Sequence, residues 1–345
     1  MLVSVCAYAN STQIQSKSIQ AGIITVTSPN DGDYLGKTNK VRFTITGASV
    51  QVTVKVTATL DSNPAITVSV EEEFDPDVNG EIEGDIDLNF ASSTPEGDYT
   101  LTVDVDEPGN TYNAVPPISI IVDVRDPLFR NSNPLVDAFV RGVVNISAEL
   151  DEPNIKEWRV RINGSDIPNN SGTTTVVAVV WDTSSIIDDG SQSITIVVED
   201  LAGNKTTKTI GVTLDRVNPS STILAPTTGS IIRPNSRIAV VIEILDQFNN
   251  SVHRTGIDVE LRRLDDSYLA RVARRSITQS GNAATWVGRI RRGRNVPNEF
   301  KIVVSVVDKA GNVAIVQEVT VRITGRGRGR GRGNGNSNRG RGRWL

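Results

Sequence analysis

One strand-and-turn phrase recurs along this chain and limits what it can fold into. Ile196 to Asn204 reads I-V-V-E-D-L-A-G-N, Val304 to Asn312 reads V-S-V-V-D-K-A-G-N, and Val103 to Asn110 reads V-D-V-D-E-P-G-N. Alternating apolar side chains belong to a strand with one buried face. The Asp that ends the run accepts a hydrogen bond from the backbone two residues on. The glycine then takes the positive φ that turns the chain back as the next strand. A lone hairpin cannot bury its apolar face, so each copy is expected to close a β-sandwich. Asp106, Gly109 and Asn110, then Asp200, Gly203 and Asn204, then Asp308, Gly311 and Asn312 are the expected structural turn residues.

The spacing sets the number of units. The turn acids stand 94 and 108 residues apart, and Pro29, Gly32 and Val41 match Pro226, Gly229 and Ile238 at a constant offset of 197. About seven short β-type runs per roughly 100 residues is the count of an immunoglobulin-like sandwich. The expectation is an all-β chain of three tandem immunoglobulin-like sandwiches and a disordered Arg/Gly-rich tail. Its divisions are a truncated signal-like segment and polar lead at 1–20, an acidic module at 21–124, a second module at 125–216, a basic module at 217–324 and the tail at 325–345. Short Pro-containing linkers are expected near Pro127 and Pro219.

The phrase W-x-T followed by D-G and then D-x-A-G-N is carried most fully by Trp181, Asp182, Thr183, Asp189, Gly190, Asp200, Ala202, Gly203 and Asn204. In this it resembles the bacterial immunoglobulin-like tandem repeat domains of surface and secreted proteins. The third module keeps Trp286 and the Asp308 to Asn312 turn, while the first lacks the Trp and has Pro108 in place of Ala. The resemblance covers about Ile23 to Ile323. It implies a fold, and it carries no catalytic residues to transfer.

Charge is distributed unevenly. Residues 20–124 carry a net −14, residues 218–324 a net +6 and residues 325–345 a net +7. Such asymmetry bears on partners, so self-association of the acidic end with the basic end of a neighbour is one expectation. The tail brings seven guanidinium groups and no acid: Arg326, Arg328, Arg330, Arg332, Arg339, Arg341 and Arg343. Guanidinium forks bind carboxylate, sulfate or phosphate, so the tail is expected to hold an acidic polysaccharide or other polyanion. A nucleic-acid-binding tail is the rival reading, although only Trp344 could stack on bases. Arg262, Arg263, Arg271, Arg274, Arg275, Arg289, Arg291, Arg292 and Arg294 extend the basic character into the third module.

Enzymatic chemistry is not expected. His253 is the sole histidine, and nothing near it reads as a nucleophile elbow. Cys6 is the sole cysteine, so no internal disulfide forms. Oxygen ligands are present, however. Asp75, Asp77, Asn79 and Glu81 occupy alternate positions with Gly80 at the sixth, as at the start of a calcium loop, but Ile86 stands where the closing Glu would be. Calcium is therefore a possible cofactor there, in a calcium-dependent carbohydrate-binding or enzyme-accessory module. A second calcium reading places an ion between modules, among Asp123, Asp126 and the Asp106 turn.

No apolar run approaches the roughly 18 residues of a membrane span. Met1 to Ala9 is apolar and ends in Ala7-Tyr8-Ala9, an A-x-A cleavage pattern without the basic start of a signal peptide. Six N-x-S/T sequons begin at Asn10, Asn145, Asn163, Asn169, Asn204 and Asn249. A composition rich in Asn, Ser and Thr produces such sequons by chance, so it is the signal-like start and the resemblance that imply a secreted or cell-surface location, with the modules as adhesive or structural spacers.

Overall fold

The structure is a computed structural model that describes residues 22–248, 252–289 and 297–324. The lead segment, the Arg/Gly tail with its seven arginines, and Arg291, Arg292 and Arg294 lie outside the described residues. Six sheets form tandem immunoglobulin-like sandwiches.

In the first sandwich, Ile23–Ser28, Thr38–Thr46 and Glu81–Asn89 make a three-stranded sheet. Tyr34–Leu35, Ile118–Val122, Gly97–Asp106, Val52–Leu60 and Thr67–Phe74, in that spatial order, make the five-stranded sheet opposite. Their alternating residues meet in one core, with Val41, Phe43 and Ile86 from one sheet and Val54, Val56, Leu101 and Ile120 from the other. This follows from the two-residue period of a strand. Val50 breaks that pattern: the strand begins at Val52 and Val50 is exposed.

The second sandwich sets Val176–Asp182, Val143–Leu150 and Phe129–Asn133 against the five strands Ala138–Val140, Lys205–Leu214, Gly190–Asp200, Ile155–Ile162 and Ser165–Gly172. Trp181, Ile146, Val160, Ile196 and Val212 are buried. The third pairs Ser220–Ala225, Arg237–Leu245, Ala283–Arg289 and Ile277–Ser280 with Ile231–Ile232, Gln317–Ile323, Glu299–Val306, Ile257–Arg262 and Tyr268–Arg271. Its core includes Val240, Trp286, Val259, Phe300 and Ile302. In every sandwich a two- or three-residue strand runs parallel to the last long strand: Tyr34–Leu35, Ala138–Val140 and Ile231–Ile232.

Backbone proximity groups the chain into two compact units. One consists of residues 1–128 together with 151–157 and 198–206, and the other of 129–150, 158–197 and 207–345. Two loops of the second sandwich thus pack with the first unit, and each acidic cluster described below lies inside one unit.

Candidate metal centres

The recurring turn forms as its residues require. Gly203 and Gly311 take φ values of 85° and 91°, which side-chain-bearing residues rarely adopt. The Gly203 amide donates to the Asp200 carbonyl (3.1 Å), and the Gly311 amide to the Asp308 carbonyl (3.3 Å). Both oxygens of each acid are occupied by the turn's own asparagine. Asp200 Oδ1 and Oδ2 accept from the backbone N and Nδ2 of Asn204, both at 2.9 Å. Asp308 accepts the same pair from Asn312, both at 2.7 Å.

Each asparagine also reaches backward. Asn204 Nδ2 donates to the backbone oxygen of Asp123, and Asn312 Nδ2 to that of Asp215, each at 2.9 Å. Asp123 follows the last strand of the first sandwich, and Asp215 that of the second. The turn therefore holds the end of the preceding strand system, and it brings acids together there.

Asp215, Asp246 and Asp308 each offer a carboxylate oxygen within 4.8 Å of the others, and Asp123, Glu152 and Asp200 do the same. Among the described residues these are the two groups with such geometry. Asp215 is 0% exposed, Asp308 7%, Asp200 0% and Glu152 8%. At 4.8 Å, two unit charges repel by about 3.5 kcal/mol in an effective dielectric of about 20. Burial pushes the Asp215 carboxyl up, and the charges of Asp246 and Asp308 add to this. Burial likewise raises Asp123 and Glu152, with Asp200 reinforcing both.

The hydrogen bonds do not relieve the second triad fully. Asp215 Oδ1 accepts from Gln247 Nε2 (2.8 Å) and from the Val217 amide (3.3 Å). Asp215 Oδ2 is buried and has no hydrogen-bond partner. The adjacent cation, Arg216, is drawn off by Asp189 and by the carbonyls of Ile186 and Ile187. In the first triad Glu152 Oε1 accepts from the Asn154 amide (2.7 Å), and Asp123 Oδ1 from the Arg125 amide (3.1 Å). Two or more carboxylates around a buried free oxygen suit a hard, oxygen-seeking divalent cation.

The calcium positions read from sequence are placed differently. Asp75, Asp77, Asn79 and Glu81 are exposed, and the three acids among them form no such group. Asp77 Oδ1 accepts from the amides of Asn79 and Glu81, both at 2.8 Å, and its Oδ2 from Asn79 Nδ2. These bonds hold its carboxyl below the usual range, as a hairpin turn does without any ion. Asp126 pairs with Lys37 at 2.6 Å and does not join Asp123. Asp106 ends its strand exposed, and Glu107 takes the buried place at the first turn.

That buried Glu107 is fully occupied. Its Oε1 accepts from the amides of Ser49 and Val50 and from Ser49 Oγ, and its Oε2 from Asn110 Nδ2 and Tyr112 Oη. Burial alone would raise its carboxyl, but the bonds from Tyr112, Ser49 and Asn110 outweigh it and bring the pKa to about 2. His253 is exposed and caps a short 3-10 turn, its Nδ1 accepting from the Thr255 amide.

Glu152 and Asp246 escaped the sequence reading, although a signal existed. Leu150-Asp151-Glu152-Pro153 and Leu245-Asp246-Gln247-Phe248 stand at the same place, from the end of the second long strand of their sandwiches onward. The first sandwich has Thr46-Gly47-Ala48-Ser49 there, with no acid.

No family model matches the chain. Bacillopeptidase F of Bacillus subtilis (strain 168) is 24% identical over 192 residues, which are 55% of this chain and 12% of that protein. The chain thus matches a small part of that relative's length. Among solved structures, the fibronectin(III)-like modules of Clostridium thermocellum CbhA align with 57% of this chain and 93% of theirs, at 13% identity and a TM-score of 0.39. The titin fragment I67–I69 aligns with 88% of this chain and 99% of its own, at 13% identity and a TM-score of 0.34. A fragment of a 1.5-MDa bacterial ice-binding adhesin aligns with 88% and 99%, at 16% identity and a TM-score of 0.29. Among the described residues no helix is long and apolar enough to cross a membrane.

Proposed function

We propose that this chain is a non-enzymatic, secreted or cell-surface structural and adhesive protein whose acidic triads each take a calcium ion. The observation that carries the reading is the buried Asp215 Oδ2, which no donor reaches, in a carboxylate that has an oxygen within 4.8 Å of one on Asp246 and one on Asp308. A divalent cation supplies the missing partner and removes the mutual repulsion. The same turn that gathers the acids also holds the preceding strand end through Asn204 and Asn312. Cation binding is thereby linked to how firmly successive strand systems are tied. Calcium suits the donor set, since it takes six to eight oxygens in flexible geometry and binds extracellular modules at roughly 10⁻⁴–10⁻³ M.

The acidic-to-basic gradient supports a contact role at the basic end, with an acidic polymer as partner and the Arg/Gly tail assisting. Head-to-tail association of the acidic and basic ends is a variant of this reading, and it weakens steeply toward ~0.5 M salt.

The test is a thermal melt of the full chain after chelation and again with 10 mM calcium. A midpoint raised by several degrees, with calcium bound in stoichiometric amount by atomic emission, is expected. Identical midpoints and no retained calcium would remove the cation from the reading.

A further inference from the structure

A second feature of the same unit carries the opposite charge. A cleft of about 450 Å³ opens between the 3-10 turns Arg254–Gly256 and Arg274–Ser276, the strand Ile277–Ser280 and the recurring turn at Lys309. His253, Arg254, Arg275 and Lys309 line it, and no acid does. Among the described residues no acid pairs with Arg254, Arg275 or Lys309. Asp308, next to Lys309, has both carboxylate oxygens engaged by Asn312 in the triad. Lys309 is instead fixed over the Phe139 ring, 5.2 Å from its centroid.

We infer that this cleft binds an acidic saccharide, gripping its carboxylate or sulfate groups between Arg254, Arg275 and Lys309. Guanidinium forks match both anions, and side chains without internal acids keep their attraction for an external one. The buried Val252 and Ile277 supply an apolar floor for the C–H face of a sugar ring, and the exposed Thr278 hydroxyl serves ring hydroxyls. No Phe, Tyr or Trp lines the cleft, so the one ring it could offer a nucleotide base is the imidazole of His253. A saccharide therefore fits it better than a nucleic acid. The inference deepens the reading of the basic end as a contact surface and rests on it, while calcium binding at the triads is a separate matter.

Affinity of the full chain is measured by titration calorimetry at low salt with four probes. These are an oligogalacturonate carrying carboxylates, a dextran sulfate oligomer, neutral dextran and a single-stranded oligodeoxynucleotide. The parent is expected to bind one or both anionic saccharides and not neutral dextran. The double variant Arg254→Glu with Arg275→Glu should bind them at least tenfold more weakly. Its affinity for the oligonucleotide, held by the unchanged tail, should stay within twofold. Whichever saccharide loses more identifies the anion. Lys309→Ala is a milder second variant, expected to weaken saccharide binding several-fold while the lost contact with Phe139 lowers the melting midpoint by no more than a few degrees. Saccharide affinities equal in parent and variants overturn the cleft assignment and leave the contact surface standing. An equal loss for the oligonucleotide overturns the saccharide class. No binding of either anionic saccharide by the parent overturns both readings.

Discussion

The first and third sandwiches use the same turn to opposite electrostatic effect. At the first turn one buried acid, Glu107, accepts five hydrogen bonds, and its pKa falls to about 2. At the third turn Asp308 is joined by Asp246 and Asp215, and burial pushes the Asp215 carboxyl up. The difference lies in what the neighbouring loop presents. Ser49 and Val50 bring donors to Glu107, whereas Asp246 brings another carboxylate. A buried charge that is fully hydrogen-bonded stabilises the fold, and one that faces like charges destabilises it unless it is neutralised. Four measurements break or sharpen this contrast.

The largest effect is expected for Asp308→Ala. It strands the buried amide and Nδ2 of Asn312 and loosens the bond to the Asp215 carbonyl. Unfolding in urea should show a loss of about 3 kcal/mol. A loss below about 1 kcal/mol would show that the turn acid is dispensable.

Calcium comes next. At about 100 times its dissociation constant, one bound ion adds about 2.7 kcal/mol. The gain should vanish in Asp215→Asn combined with Asp123→Asn, as read by urea unfolding with calcium and with chelator. A gain of the same size in that double variant would place the ion elsewhere.

Third is Glu107→Gln, expected to remove roughly 2 kcal/mol at neutral pH, which is the ~3 kcal/mol of the full pKa shift less the hydrogen bonds the amide oxygen retains. The folded pKa lies below the unfolded value. The stability it confers is therefore complete above the unfolded carboxylate pKa of about 4.3 and is lost as pH falls toward about 2. Parent and variant stabilities should converge over that window. Parallel curves from pH 7 to pH 2 would disprove the assignment.

The smallest effect has the opposite sign. In chelator, Asp215→Asn replaces a crowded carboxylate by a neutral amide of the same shape and should stabilise by up to about 1 kcal/mol. With calcium present the same variant should be less stable than the parent. A loss in both conditions would mean that Asp215 is an ordinary structural acid.

The residues that made the architecture legible are local ones. The alternation through Val52, Val54 and Val56, and the Asp-x-Ala-Gly-Asn turns, specify strand faces and reversals over a few bonds, so they can be read without a fold. The triads were only half legible. Asp200 and Asp308 announced themselves through the turn, and Asp123 through its place at a strand end. Glu152 and Asp246 arrive from loops far off in sequence, and Asp126 was diverted to Lys37. Asp75, Asp77 and Asn79 have the residue types of a cation loop, and the Asp77 carboxylate among them accepts from the Asn79 and Glu81 amides.

The order of residues alone therefore determined a chain of hairpin-closed β-sandwiches, because side-chain period and turn chemistry act between near neighbours. Which carboxylates share a buried space, and which are neutralised by a lysine or by backbone amides, was decided by tertiary structure. Desolvation and Coulomb repulsion depend on distances across the fold, and these are set only when loops far apart in sequence, such as those of Asp215 and Asp308, come together.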